Sequence, residues 1–308
     1  MDCSVILTVC NEIPHIFYTI QSIINELDGY CKYEIIVVDN LSTDKHVFEK
    51  NKDTLEEVLK SRSKFIKYVK YDDKQSHWVA KTKGIEMATG RNIFFIDAHC
   101  LVGHGSLKKQ IEFLDNFKGK IGGVHCYHNL LMSNNRKFEH DCRTIKFLYR
   151  FRRAQVGEEF KKPYEVAHMT TCGMMCQKKV LDELGGWNEE FGTRWGGEAY
   201  MNLKHGVCGY PHYIHPETNY YHLKHEHGYT FGVGGYRNVM NAVYSVGGEK
   251  WLKYYSDLLI KVKGKKYYRW KLDVAVDSIR SACKEDMEFI KSKQVMSLDE
   301  FYKKWGMT

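Results

Sequence analysis

Asp97 and His99 stand two residues apart where the apolar run Asn92–Ile96 stops, and together they could hold a divalent cation. A carboxylate oxygen beside an imidazole nitrogen suits an ion such as Mn²⁺, which could neutralise a nucleotide diphosphate. An apolar run without alternation reads as a central parallel strand covered on both faces. The end of such a strand opens into the crevice where open α/β sheets bind ligands. If the chain stays extended through Ala98, the two side chains point to one side, because side chains alternate along a strand. The pair also reads as an aspartate capping a turn with a histidine bonded nearby. Two residues alone do not choose between these readings.

The elements that must position this pair follow a regular order. Ser4–Val9 reads as a strand, then Pro14 falls in a first helical turn, and Ile16, Ile20, Ile23, Ile24 and Leu27 form one apolar helix face. Gly29 suits the end of that helix. Glu34–Val38 is a second buried strand ending in Asp39-Asn40, a charged helix runs to about Lys60, and Phe65–Val69 is a third strand. Ser76–Ala88 reads as a helix stopped by Gly90. This alternation predicts a doubly wound parallel sheet. Further on, Ser106–Phe117 reads as a helix, Ile121–Tyr127 and Thr170–Cys176 as strands, and Lys178–Leu184 as a short helix before Gly185-Gly186. Apolar positions Trp251, Tyr255, Leu258, Leu259 and Val262, then Leu272, Val276, Ile279, Cys283, Met287 and Ile290, mark two long helices. Ser297 and Glu300 make a capping box for a short final one.

At 308 residues, 43% hydrophobic and 27% charged, the chain has the composition of a folded protein with a full α/β core. Ten cysteines show no paired metal spacing. There is no signal-peptide pattern and no apolar stretch of about 18 residues, so the expected location is the cytoplasm, of a host if the protein is viral, with reduced thiols. A net charge of +8 favours an acidic partner. Two segments concentrate it: Asn134–Gln155, with Arg136, Arg143, Arg150, Arg152 and Arg153, and Lys261–Lys271, with Tyr267, Tyr268 and Trp270 interleaved. The first also reads as a solvated helix with a core stripe. No G-x-G-x-x-G follows the first strand, and neither a P-loop nor a G-x-S-x-G elbow occurs, which removes dinucleotide, P-loop and serine-hydrolase chemistry. His222, His225 and His227 could mark a separate zinc site, but they lack a fourth ligand at convincing spacing.

The succession ILTVCNE, EIIVVDN-LSTD, ATGRNIFFIDAH, GGWNEEF and GGE resembles the nucleotide-sugar glycosyltransferases of family 2 across roughly residues 1–240. It is closer still to the polypeptide N-acetylgalactosaminyltransferases, which carry D-x-H, WGGE and a histidine before a flexible loop. Here these match Asp97-Ala98-His99, Trp195–Glu198, and His222 with His227–Phe231. The resemblance implies a GT-A fold: α/β, Rossmann-like, with a central mostly parallel sheet in residues 1–240 and a helical C-terminal extension in 241–308. It also implies a UDP-sugar donor and Mn²⁺ (or Mg²⁺) held by Asp97, His99 and His222. Thr8 and Asp39 would bind uridine, and Lys74 and Lys81 would lie beside the donor. Gly173 would let the backbone approach the sugar, Trp195 would wall the pocket, and Gly232, Gly234 and Gly235 would hinge a closing loop.

This chain departs from the family pattern at Glu198-Ala199. Inverting relatives often have Glu-Asp there, the Asp being their base. The N-acetylgalactosaminyltransferase pattern also lacks that Asp, and those enzymes retain configuration. The resemblance therefore implies retention, with Asp97 and Glu198 as the catalytic candidates, Glu198 orienting the acceptor and the leaving phosphate helping to deprotonate it. Glu198 acting as base for inversion is the other possibility. The sequence also departs from the N-acetylgalactosaminyltransferase pattern in showing no lectin-like C-terminal domain and no signal anchor, and its His222–His227 spacing is one residue shorter. The basic, aromatic segments suit DNA, so DNA bearing hydroxymethylated pyrimidines is the expected acceptor, as in bacteriophage-type enzymes. A protein or cell-surface glycan is the alternative acceptor, and a catalytically dead nucleotide-sugar binding module is the alternative class.

Overall fold

The computed structural model describes residues 1–43, 54–62, 64–131, 141–147, 151–154, 161–193, 196–223, 234–263 and 275–306. The first part runs β1 (Cys3–Val9), α1 (His15–Leu27), β2 (Tyr33–Asp39), α2 (Leu55–Arg62), β3 (Ile66–Lys70) and α3 (His77–Met87). β4 (Asn92–Asp97), β5 (Cys100–Val102), α4 (Ser106–Asn116) and β6 (Gly123–Leu131) follow. Next come β7 (Asp141–Phe147), β8 (Phe151–Ala154), β9 (Tyr164–Val166), β10 (Met174–Gln177) and α5 (Lys178–Leu184). α6 (Gly197–Val207), β11 (His212–Leu223), α7 (Gly234–Lys263), α8 (Lys284–Lys293) and α9 (Leu298–Lys304) complete the sequence of elements.

The main sheet has the order β3-β2-β1-β4-β10-β6-β11-β5, with β9 added on β11. Its β3-β2-β1-β4 half is parallel, as is the β6–β11 pair. β10 lies antiparallel between β4 and β6, while β5 and β9 run antiparallel to β11. The mostly parallel α/β sheet expected from the sequence is therefore present.

Every residue of β1 and β2 is buried, because helices cover both faces. Ile6, Ile36, Val38, Ile93 and Phe95 point into a cluster with Trp78, Val79 and Trp187. Their alternating neighbours Val5, Leu7, Val9, Ile35, Val37, Phe94 and Ile96 point into another with Ile16, Ile20, Leu59 and Leu107. Burying each such side chain stabilises the fold by roughly 1.5–3 kcal/mol.

One carboxylate interrupts this apolar interior. Glu34, on β2, accepts from Ser4 Oγ at 2.6 Å, Thr89 N at 2.7 Å and Thr89 Oγ1 at 2.8 Å, and pairs with Lys67 Nζ at 2.5 Å. Burial pushes its pKa up, but Lys67 and the hydroxyl and amide donors outweigh burial and bring it down to about 2. A depressed carboxyl stabilises the fold fully above its unfolded pKa near 4.3 and loses that contribution as pH falls toward the folded value. Glu34→Gln is thus expected to cost about 2 kcal/mol at pH 7, below the full linkage value because Lys67 is 44% exposed. In urea unfolding, the gap between the two proteins should close as the pH is lowered from 4.5 toward 2.

Several expectations change. Residues 141–147 and 151–154, within the stretch for which a solvated helix is one of two readings, pair as antiparallel strands. Thr144, Ile145, Phe147 and Phe151 favour strands, and that preference prevailed over the spacing of charges. The strand expected at Thr170–Cys176 is β10, shifted to Met174–Gln177 because the chain bends at Gly173, where φ is +79°. β5 and β9, three residues each, are too short to carry a period. Gly234 and Gly235, expected in a hinge, lie in the first turn of α7, while Gly232 is outside the described residues.

Residue 240 falls inside α7. Ile290, Leu298, Phe301 and Tyr302 share a cluster with Trp78 and Ala199 of the sheet region. Ser297 and Glu300 form the expected capping box, with Glu300 N donating to Ser297 Oγ at 3.2 Å and Ser297 N to Glu300 Oε2 at 2.6 Å. Among the described residues, no helix is long and apolar enough to cross a membrane.

Candidate active site

The parallel register brings three strand ends level: Thr8 pairs with Val38 on one side and Asp97 on the other. Beyond them the loops are tied together by polar side chains. Buried Asn40 donates to Tyr71 O at 3.0 Å and Lys74 O at 2.8 Å, and accepts from Ser76 N at 2.8 Å. Ser76 then caps α3, its Oγ accepting from Val79 N at 3.1 Å. α3 is thereby anchored with its first turn over the ends of β1 and β4.

β4 stops at Asp97, and the chain turns at Ala98-His99 before β5 starts at Cys100. Asp97 and His99 therefore do not converge by extension through Ala98; a turn brings them together. Thr19 of α1 clamps that turn, donating to Ala98 O at 2.8 Å and accepting from Cys100 N at 3.0 Å. His222 arrives from β11, opposite Cys100 of β5, and Leu223 N bonds His99 O at 2.9 Å. Two elements adjacent only in space thus supply one group. Thr19→Val removes both clamping bonds at nearly constant volume. It is expected to cost about 1–3 kcal/mol in stability and to weaken Mn²⁺ binding, read by thermal melts and metal titration.

The ligand atoms of Asp97, His99 and His222 all lie within 4.8 Å of one another. His99 Nδ1 lies 3.2 Å from Glu12 Oε2, and Glu12 is buried. Glu12 as carboxylate can only accept, so it keeps the proton on Nδ1 and leaves the Nε2 lone pair toward the group. His99 Nε2 and His222 Nε2 are 3.1 Å apart. Adjacent ligands of an octahedral ion with bonds of about 2.1 Å stand roughly 3 Å apart, so the spacing fits a cation held between them. Two imidazoles and one carboxylate suit Mn²⁺.

Asp97 divides its two oxygens. Oδ2 faces His222 Nε2 at 3.9 Å, while Oδ1 receives Lys81 Nζ at 3.3 Å. Burial would raise the Asp97 carboxyl, but Lys81 beside it, helped by the surrounding imidazoles, holds it well below the usual carboxylate range. Lys81 is fully buried on α3, its Nζ 5.1 Å from the centre of the Trp78 ring and 3.1 Å from His77 Nε2. His77 Nδ1 is in turn 3.2 Å from Thr8 Oγ1. Thr8, Lys81 and Asp97 therefore form one chain through His77.

The other expected residues are distributed around this centre. Asp39 Oδ2 accepts from Tyr68 OH, and Oδ1 accepts from Ser42 N at 3.0 Å. Burial, and then the bond to Asp39, raise the Tyr68 hydroxyl well above its ordinary value, so it stays a donor. Lys74 donates to the Glu189 carbonyl. Gly173 is buried, and a Cβ there would meet the Tyr220 ring at 2.5 Å, a packing reason for glycine that involves no ligand.

Glu198 is in the first turn of α6 and accepts from Gly196 N at 3.1 Å. The glycines before it have separate reasons. Gly196 has φ +112° and sits against Asn238 of α7, while a Cβ on Gly197 would meet Trp78 at 2.3 Å. α6 thus begins directly on the tryptophan that Lys81 overlies. Trp195 and the His225–Gly232 stretch lie outside the described residues.

Glu12, Thr19, Tyr68 and His77 were not foreseen. His77 had a readable signal, four residues before Lys81 and so on the same helix face. The other three looked like ordinary loop, helix and strand residues.

The family model of glycosyl transferase family 2 matches residues 4–185, more than half the chain. The chain belongs to that family. The match ends before Glu198 and His222, of which His222 is placed beside Asp97 and His99 by geometry. The minor teichoic acid biosynthesis protein GgaB of Bacillus subtilis (strain 168) is 27% identical over 188 residues, 59% of this chain and 19% of that protein. Polypeptide N-acetylgalactosaminyltransferase 3 of Mus musculus is 25% identical over 221 residues, 67% of this chain and 34% of that protein. The matched region thus spans about a third or less of these relatives. Among solved structures, GalNAc-T7 with UDP, GalNAc and Mn²⁺ superposes with a TM-score of 0.78 at 16% identity, over 98% of this chain and 56% of that one. S. aureus TarS 1–349 in complex with UDP-GlcNAc gives 0.59 at 15% identity, over 100% of this chain and 93% of that one. These likenesses establish the GT-A fold expected for the family.

Proposed function

We propose that the chain transfers a sugar from a UDP-sugar to a hydroxyl acceptor, with Mn²⁺ (or Mg²⁺) bound by Asp97, His99 and His222. The observation that carries this reading is the convergence of those three ligand atoms within 4.8 Å at the carboxyl ends of the strands. It is supported by structural neighbours solved with UDP, GalNAc and Mn²⁺, and with UDP-GlcNAc. Bound there, the ion stabilises negative charge on the departing diphosphate. Asp97 would be the anionic ligand of the ion while its Oδ1 accepts from Lys81 Nζ. Lys81 and Lys74 add positive charge beside the diphosphate. Thr8 and Asp39 face the uridine, where the carboxylate accepts the uracil N–H, and Trp195 walls the sugar. Glu198 orients the acceptor hydroxyl. With Ala199 in place of an Asp base, the departing phosphate oxygen takes the acceptor proton on the same face, and configuration is retained.

For the acceptor we propose DNA carrying hydroxymethylated pyrimidines, on the strength of the basic, aromatic segments 136–153 and 261–271, most of which lie outside the described residues. A second reading, a cell-surface polymer, is favoured by the similarity to GgaB, named for teichoic acid biosynthesis. The test is UDP release from a panel of UDP-sugars with Mn²⁺, with hydroxymethylated duplex DNA and a polyol-phosphate polymer as parallel acceptors. Turnover with one sugar, lost on chelation, supports the transferase, and the stimulating acceptor selects between the readings. A β-linked product from an α-linked donor, seen by NMR, overturns retention. No turnover with any donor and either acceptor overturns catalysis in favour of a binding module.

A further inference from the structure

We propose that His77 is a positioning residue for the donor, aiming the buried Lys81 ammonium at the diphosphate side of Asp97 and linking it to Thr8. This rests on the UDP-sugar reading above. Lys81 Nζ is an ammonium with three protons to place and no acceptor capacity, inside a side chain with 1% exposure. Two of its neighbours can accept: Asp97 Oδ1 at 3.3 Å and His77 Nε2 at 3.1 Å. His77 Nε2 must therefore present a lone pair, which puts the ring proton on Nδ1, where Thr8 Oγ1 stands 3.2 Å away to accept it. Its two ring nitrogens thus do different work, Nε2 toward Lys81 and Nδ1 toward Thr8. An ammonium held only by Asp97 could swing along the carboxylate. Held from two sides, and over the Trp78 ring at 5.1 Å, it has one direction left for its remaining proton.

The arrangement follows from sequence spacing. His77 and Lys81 are separated by one helical turn, so both project from the face of α3 that meets β1 and β4. Trp78 fixes that face by packing against Trp187, ring centres 5.3 Å apart, and against Gly197. His77 itself is only partly buried, so it stands at the rim where a donor would enter.

The test is calorimetric binding of UDP in the presence of Mn²⁺. His77→Leu should weaken UDP about tenfold, the range expected when a supporting partner of a binding group is lost. Lys81→Met should weaken it at least as much. The double variant should be no weaker than Lys81→Met, because His77 acts only through Lys81. His77→Gln, whose Oε1 reaches the Nε2 position, should restore binding to within about threefold. His77→Asn, which reaches only the Nδ1 position, should not. Should His77→Leu fail to fold, Gln against Asn carries the same contrast. Failure of the wild type to bind UDP removes the donor reading and this inference together. Wild-type binding with an unchanged His77→Leu, additive losses in the double variant, or equal behaviour of Gln and Asn overturns this inference alone.

Discussion

Replacing Asp97 by Asn is expected to reduce UDP release from the donor by at least about a thousandfold, equivalent to about 4 kcal/mol in the barrier. The isosteric amide keeps the shape of the site but removes its anionic ligand, and with it the counter-charge for Lys81. Mn²⁺ affinity should fall by more than about a hundredfold, beyond the 10–100-fold seen when only a supporting contact is lost. Stability should drop as well, by about 2–3 kcal/mol. Breaking a fully buried ion pair costs roughly 3–5 kcal/mol, and the lower figure applies because the Asp97 side chain is 22% exposed and the amide oxygen still accepts from Lys81. Electron paramagnetic resonance of Mn²⁺, UDP release and thermal melts read the three effects separately. Undiminished Mn²⁺ binding in the variant would remove Asp97 from the metal site.

Gly173→Ala is expected to destabilise the fold by about 3 kcal/mol, made up of roughly 1–2 kcal/mol for a left-handed backbone and 1–3 kcal/mol for overpacking. The added methyl would meet Tyr220 Cδ1 at 2.5 Å, and the backbone there has φ +79°. Tyr220 cannot simply move away. It stacks on His128 at 4.9 Å between ring centres and precedes His222 by two residues on the same face of β11. Displacement would carry His222 with it, so a fall of roughly 5 °C in melting temperature should accompany weaker Mn²⁺ binding. An unchanged melting temperature with a raised KM for the donor would instead mean that Gly173 serves close approach of the sugar.

These two residues show how differently parts of the site could be read in advance. Asp97 was legible because an apolar run ends in a D-x-H that falls in order with the other motifs of the resemblance. Lys81 was legible as a donor-side lysine through that resemblance, but its ion pair with Asp97 was not, because nothing in the sequence brings the two within reach until α3 packs on the sheet. Gly173 was legible as a special backbone position, but not the tyrosine that demands it, 47 positions later in the chain. The basic stretch around residues 136–153 could be read two ways, since charge spacing suits a solvated helix and paired strands alike.

The amino-acid sequence by itself determined the alternation of strand and helix through the first hundred residues, the two-sided burial of β1, β2 and β4, and the short D-x-H and WGGE signatures. All of these rest on periodicity, propensity or neighbours within a few positions, and each is local. Only the tertiary structure decided which distant side chains meet. The antiparallel return of β11 beside β5 brings His222 to His99. The turn clamped by Thr19 aims Asp97, and Glu12 selects the nitrogen that His99 presents. The physical reason is that hydrogen bonds and metal ligation act over about 2–3 Å. Sequence separation says nothing about distances that small until the sheet register is set.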